Sequence, residues 1–383
     1  MAFDKVVDSA QLDSAMAYTA GRIREKTGET ASIPWNATRG FGDAIDAITA
    51  GSQKQIKIHT EAGATVTATM GTQSVSGTAD TNGICLLDVP ENGDWTVSAS
   101  FGGMSGTSQV VTVTDVYDIS ISLVSSTLND NSWDTIRAVS DLEQGENYWS
   151  IGDCKEVTLN GTVGELTLSN FTTYAFILGF NHNAALEGNN RIHFQLAKTA
   201  LSGGTDICLC DSSYNSNGSS PAFRMNISST NSGGWEDSVM RTAICGTSLT
   251  SYGGTILAVI PAALRAVLKS VTKYTDNTGD GSTSTSAVTA TTDYFFILAE
   301  FEVFGSITYT NSNEASKQAQ YAYYAAGNSK AKYKHDATTT AAHWWLRSPY
   351  VKGSGTFTYV RASGSVGYSN ARNSYGFAPG FCV

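Results

Sequence analysis

Five histidines (His59, His182, His193, His335, His343) and six cysteines (Cys85, Cys154, Cys208, Cys210, Cys245, Cys382) are the residues best suited to metal or nucleophilic chemistry. Their spacing supports neither. No HExxH or GxSxG is present, no Gly-rich phosphate loop follows a strand-like run, and no CxxC pair or Cys–His set has zinc spacing. Cys208 and Cys210, at i and i+2 in DICLCD, read as small core residues on one face of a strand, and the spacing fixes no disulfide pairing. Lectin-like calcium sites use carboxylate and amide pairs beside a proline. None occurs, and GDGS at 279–282 is the stretch best suited to a structural ion. Cys382, in an apolar closing run, reads as a buried thiol. Glu300 and Glu302 lie two apart in YFFILAEFEVFG, which reads as an apolar strand with both carboxylates on one face. One of them is expected to meet Arg347 of WWLRSP in a buried bidentate pair. The expectation is a protein without catalytic residues, metal or cofactor.

Binding chemistry is better represented. The tail from His343 to Val383 opens on HWWLRSP, closes on GFAPGFCV, and holds between them a run of Tyr, Ser, Gly, Asn, Thr and Arg. Tyr gives large amphipathic contact area at low entropic cost, and Ser, Gly and Asn give adaptable hydrogen bonding. The candidate ligand-binding residues are Trp344, Tyr350, Thr356, Tyr359, Arg361, Ser363, Ser365, Tyr368, Ser369, Asn370, Arg372, Asn373, Ser374 and Tyr375, with Arg361 or Arg372 near the centre. Trp344 and Trp345 are adjacent, so at most one is expected to face the core; the other lines the surface or packs at the core edge. The competing reading, Gly and Ser as turn filler between short strands, stands beside this one.

The rest of the chain must position that tail. Its 383 residues suit two or three compact units, and a net charge of −10 without a basic block speaks against nucleic acid or an anionic membrane surface as partner. ILAVIPAAL is the longest approach to a membrane span, and Pro261 interrupts it. MAFDKVVDSA lacks the charged start and apolar core of a secretory signal.

Residues 1–50 read as a helical attachment segment: a helix at about 8–27, with Leu12, Met16, Thr19 and Ile23 on one face, then a short amphipathic piece, FGDAIDAI. From 51 to 124 the period becomes two, in IKIHT, ATVTATM, ICLLDV, DWTVSASF, QVVTVTD and YDISISLV, which predicts a small antiparallel sandwich with Trp95 in its core. Residues 125–383 mix strands (EVTLNG, ELTLSN, YAFILGFN, RIHFQLA, TDICLCD) with helices near 236–243 and 261–270 and over NEASKQAQYAYYAAGN. The fold class is α+β and multidomain.

Several stretches also carry resemblances. KVVDSAQLDSAMAYTAGRIREKTGETASIPWNATRGFGDAIDAI resembles the N-terminal leader of phage tail and baseplate proteins from Gram-positive hosts, which implies attachment or oligomerisation. YWSIGDCKEVTLNG, GGWEDSVMR, FILAEFEVFG, QAQYAYYAAGNSKAKY, HWWLRSP and GFAPGFCV resemble, in order, C-terminal domains of unassigned biochemistry in prophage and surface proteins. The sandwich looks like the immunoglobulin-like or transthyretin-like spacers of such proteins. The aromatic-Arg-Ser cluster followed by variable strands and a final apolar strand is similar to the C-type lectin fold of formylglycine-generating-enzyme-like domains. That fold also carries the variable proteins of diversity-generating retroelements, whose rewritten codons yield Asn, Ser and Tyr.

These resemblances imply a virion tail-tip protein, a homotrimer, that joins other tail or baseplate proteins and binds a host surface protein or glycan without entering the membrane. A bacterial adhesin or carbohydrate-binding module would share these features. A glycan-processing enzyme would need two carboxylates at catalytic separation in one pocket.

Overall fold

The computed structural model describes residues 17–18, 21–22, 54–106, 108–217 and 222–383. Of the helices expected before residue 50, only Ala17, Tyr18, Gly21 and Arg22 lie within the described residues, and these are helical. The chain divides into two compact units, Met1–Leu123 and Val124–Val383. It is a mixed α+β protein in which most paired strands are antiparallel and helices are few and short.

In the first unit, alternation puts every second side chain inside. Along Gly93–Phe101, Trp95, Val97 and Ala99 are buried while their neighbours are half-buried or exposed, and Thr65–Met70 buries Val66 and Ala68 opposite them. One sheet centres on Gly93–Phe101, flanked by Thr65–Met70 and Gln73–Thr78 on one side and by Met104–Gly106 and Gln109–Val113 on the other. The other sheet has the order Ile84–Asp88, Gln55–His59, Val116–Ser120. Its last pair is parallel, which departs from the purely antiparallel sandwich expected from alternation. Periodicity fixes which face is buried but not which way a neighbouring strand runs. The two inner faces form one core that includes Ile56, Ile58, Trp95 and Val113. Gly83 is obligatory at its turn: its φ is +75°, and an added Cβ would lie 2.2 Å from the Thr60 carbonyl oxygen.

The second unit is built on a five-stranded antiparallel sheet with the order Cys154–Val163, Leu166–Phe180, Ile192–Lys198, Gly380–Cys382, Phe295–Phe296. The closing strand of the tail is therefore an inner strand, buried throughout, with Phe381 packed on Phe194 and Phe295. A helix, Trp133–Asp141, is capped by the Ser132 hydroxyl, which accepts from Thr135 N–H, and buries Trp133, Ile136 and Val139. The hairpin Val271–Asp276 with Val288–Asp293 supplies buried charged groups. A three-stranded sheet, Trp344–Pro349, Thr356–Val360 and Val366–Asn370, carries the tail.

Several sequence expectations change here. YFFILAEFEVFG is not one strand: Phe295–Phe296 pairs in the sheet, and Glu300–Phe304 is a helix, so Glu300 and Glu302 sit in a helical first turn. NEASKQAQYAYYAAGN does not form one helix: a 3-10 turn, Ser312–Ser316, is capped by Asn311, and a one-turn helix, Ala322–Ala325, follows. Near 236–243 the chain makes turns before a π-helical turn at Met240–Cys245. Ala262–Val267 is helical after Pro261, within the helix expected near 261–270, and Leu264, Val267 and Leu268, the C-cap residue, are buried. All six cysteines are buried and unpaired by disulfide.

Candidate ligand-binding surface

The tail hairpin has two faces of opposite character, and strand parity decides which side chain goes where. In the register Thr358↔Tyr368 and Tyr359↔Gly367, Tyr359 points inward and Tyr368 outward. Inward, Tyr359 and Tyr375 pack with Trp345 and His343: ring centroids are 5.0 Å apart for Tyr359–Tyr375, 4.9 Å for Trp345–Tyr375 and 5.1 Å for His343–Tyr359. Gly367 leaves room for this layer, because an added Cβ would meet Arg361 Nε at 2.7 Å and the Tyr359 ring at 3.0 Å. Outward, Tyr368 is 43% exposed and lies parallel to the Tyr350 ring at 3.9 Å. Tyr309 stands edge-on to both, at 5.2 Å from Tyr368 and 6.0 Å from Tyr350. Beside the strand bearing Tyr368, Asn370 and Ser229 exchange side-chain hydrogen bonds.

The fourteen candidate residues therefore do not form one surface. Trp344, Tyr359, Ser374 and Tyr375 are buried. Trp344 and Trp345 are both fully buried, against the expectation that only one could be: in register with Val360 and Tyr359 they point to opposite sides of a strand that is buried on both faces. Their indole N–H groups donate to the carbonyls of Lys330 and Phe223. Ser374 donates to Asp211. Ser369, Tyr375 and Asn373 are joined by side-chain hydrogen bonds, and Arg372 is half-buried. Arg361, Ser363 and Ser365 are exposed at the hairpin turn, Thr356 is half-buried, and Tyr350, Tyr368 and Asn370 carry the outer face. Tyr309 and Ser229 complete that face although the sequence did not single them out. The available signal was a lone aromatic in the polar run SITYTNSN.

Beneath the sheet lies a network of buried ionised groups that sets its position. Arg347 makes a two-pronged pair with Glu302, at 2.5 and 2.8 Å, and also donates to Thr275 Oγ1 and the Ile297 carbonyl. This is the buried pair expected for one of the two glutamates. Lys273 donates to Glu302 at 3.0 Å, Glu187 at 2.6 Å and the Tyr321 hydroxyl at 2.8 Å. Burial works against ionised Glu302, but Arg347 and Lys273 overcome it and hold its carboxyl well below the usual range. Burial pushes Glu187 and Glu314 up to about 7 and His182 down to about 3, the imidazole being opposed also by Lys273.

Two further buried carboxylates brace segments that carry the tyrosines. Glu300 accepts from the backbone N–H groups of Thr308, Tyr309 and Thr310, fixing the segment that presents Tyr309. Glu314 accepts from the Ser348 hydroxyl on the tail's first strand.

His182, Glu187 and Glu302 bring potential ligand atoms within 4.8 Å of one another. The Lys273 ammonium already lies against both carboxylates, so the cluster is charge-compensated from within, and its burial keeps substrate from it. At 279–282, Asp280 N–H donates to Asn231 Oδ1 and Gly279 N–H to Asp276 Oδ1, so this turn is held by protein groups.

Residues 219–383, which contain both the tyrosine face and most of the ionic network, match the model of a family described as Domain of unknown function (DUF6273). No curated protein matches the chain.

Proposed function

We propose that this chain is a phage tail-tip receptor-binding protein, and that its second unit, a C-type-lectin-like domain, binds a host surface ligand through the outer face of the tail hairpin. The observation that carries this reading is exposed Tyr368 stacked on half-buried Tyr350, with half-buried Tyr309 against them. Aromatic area is displayed to solvent on a sheet whose other side is fixed by buried rings and ion pairs. Tyr and Arg dominate binding hot spots, and a surface ordered before binding loses little entropy on engagement. Arg361, Ser363 and Ser365, at the hairpin turn, extend the surface.

In this reading the first unit is an immunoglobulin-like or transthyretin-like spacer, and residues 1–50 join the protein to the tail. A homotrimer would multiply weak single-site affinity by linking sites. The role is recognition rather than catalysis, since the buried carboxylates are engaged by Lys273, Arg347 and backbone amides.

The test is retention of the purified chain on whole cells and isolated cell walls of the host strain, wild type against a Tyr350→Ala, Tyr368→Ala double variant. Loss of retention with an unchanged thermal transition supports the reading; equal retention overturns it. Retroelement diversification makes a separate demand on sibling genes: substitutions should concentrate at Tyr350, Arg361, Ser363, Ser365, Tyr368 and Asn370 and spare Trp344, Tyr359, Ser374 and Tyr375.

A further inference from the structure

Lys332 presents an anomaly that the binding surface does not explain. It is fully buried, and among the described residues its Nζ has no hydrogen-bond partner. Buried ammonium groups are ordinarily paired and hydrogen-bonded, because an unpartnered charge out of water is strongly unfavourable. Lys332 instead lies between the rings of Phe176 and Trp344, with Nζ 5.3 and 5.2 Å from their centroids, and faces Asp206 Oδ2 at 3.6 Å. That distance is too long for a hydrogen bond.

The Asp206 carboxylate is already occupied from its other side. Lys198 Nζ lies 2.7 Å from Oδ1, and the Tyr323 hydroxyl is 3.3 and 3.2 Å from the two oxygens. Two lysines thus converge on one buried carboxylate, and only one is bonded to it. The backbone enforces this approach. Ile207–Cys208 pairs in parallel with Lys332–Lys334 in the register Ile207↔Tyr333 and Cys208↔Lys334, and Tyr333 N–H donates to the Asp206 carbonyl, so Asp206 and Lys332 are the next residues along the two chains.

We propose that Lys332 and Asp206 condense into an amide that cross-links the two strands within the folded chain. The Lys332 Nζ lone pair forms a bond to Asp206 Cγ, the Cγ–Oδ1 bond breaks, and Oδ1 leaves as water. One of the water's protons comes from the Lys332 amine and the other from Lys198, which regains it from solvent through its partly exposed side chain. Oδ2 remains as the amide oxygen within reach of the Tyr323 hydroxyl. No oxidant or reductant is required.

The site supplies what the step needs. Burial lowers the Lys332 pKa against the opposing pull of Asp206, which favours the nucleophilic free amine. Lys198 and Tyr323 offset charge on the carboxylate oxygens, and the fold holds the reacting groups together, replacing a bimolecular encounter. The product replaces a long ion pair without a hydrogen bond by a covalent bond and ties a parallel pair that is only two residues long in each strand.

The experiment is intact mass spectrometry of the denatured full chain, wild type, Lys332→Arg and Asp206→Ala prepared identically, followed by peptide mapping. The wild type should weigh about 18 Da less than its sequence, the mass of one water, and give one cross-linked peptide containing both residues. Both variants should show their full sequence masses. A wild-type chain of full mass after purification in the folded state overturns the proposal. So does a deficit that persists in Lys332→Arg, or one that maps to another residue pair. Because mass is read on denatured chain and the wild-type map locates the bond, a poorly folding variant does not confuse the result.

Discussion

The inner and outer faces of the tail hairpin use the same residue type for opposite purposes. Tyr359 and Tyr375 are buried against Trp345 and His343, whereas Tyr350 and Tyr368 stack on each other at the surface. The inner pair derives its stabilisation from burial and ring packing; the outer pair leaves contact area available to a partner. A tyrosine-rich stretch is therefore not a binding site as a whole. Half of it is the foundation for the other half, and the foundation continues downward into Arg347, Glu302 and Lys273.

The most disruptive way to break this contrast is to remove the foundation's charge. Arg347→Ala leaves Glu302 buried without its fork partner and should destabilise the second unit by about 3–5 kcal/mol, read as a lower denaturant midpoint. An unchanged midpoint would show that the hairpin does not depend on the ion pair. Tyr375→Ala, on the inner face, should cost about 3 kcal/mol, because it opens a cavity beside Trp345 and removes one of the partners of the Ser369 hydroxyl.

The effect of Glu314 should depend on pH. Its folded pKa is raised from 4.5 to about 7, so it contributes stability that is fully present below pH 4.5 and lost as pH rises through about 7. Glu314→Gln should therefore gain on the wild type between pH 5 and 8, by on the order of 2 kcal/mol in paired denaturation curves. A constant difference across that range would mean that Glu314 does not bind a proton more tightly in the folded chain. The smallest effect on stability belongs to the outer face. Tyr368→Ala should shift stability by less than about 1 kcal/mol while weakening attachment to host cells by roughly tenfold or more. If Tyr368→Ala proved as destabilising as Tyr375→Ala, the distinction between the faces would collapse.

Much of this was legible where the pattern is local. Alternation in DWTVSASF identified Trp95 as a core residue, and the strong geometry of an Arg–carboxylate pair linked WWLRSP to the glutamates of FILAEFEVFG. Helices were less legible. Ser132 and the apolar spacing of Trp133, Ile136 and Val139 are the local signal of the helix Trp133–Asp141, a signal only nine residues long and easily lost beside the longer strand-like runs. NEASKQAQYAYYAAGN has helical composition, but Glu314 is drawn to Asp276 N–H and Ser348 and Tyr321 to Lys273, so tertiary bonds break it into two short turns. Glu300, one of the two glutamates expected near Arg347, instead ties down the segment carrying Tyr309, a function set by backbone amides with no side-chain signature.

By itself the sequence determined which strands alternate, that Arg347 would be buried against a glutamate, and that the tail is rich in residues suited to recognition. Only the tertiary structure decided which of those residues face outward, that Trp344 and Trp345 are both inside, and that Tyr309 and Ser229 join from distant loops. The physical reason is that composition and periodicity are properties of a segment. Exposure depends on what packs over the segment: a strand covered on both faces, a buried carboxylate holding a remote loop, and a closing strand inserted between two others are made by partners far away in the chain.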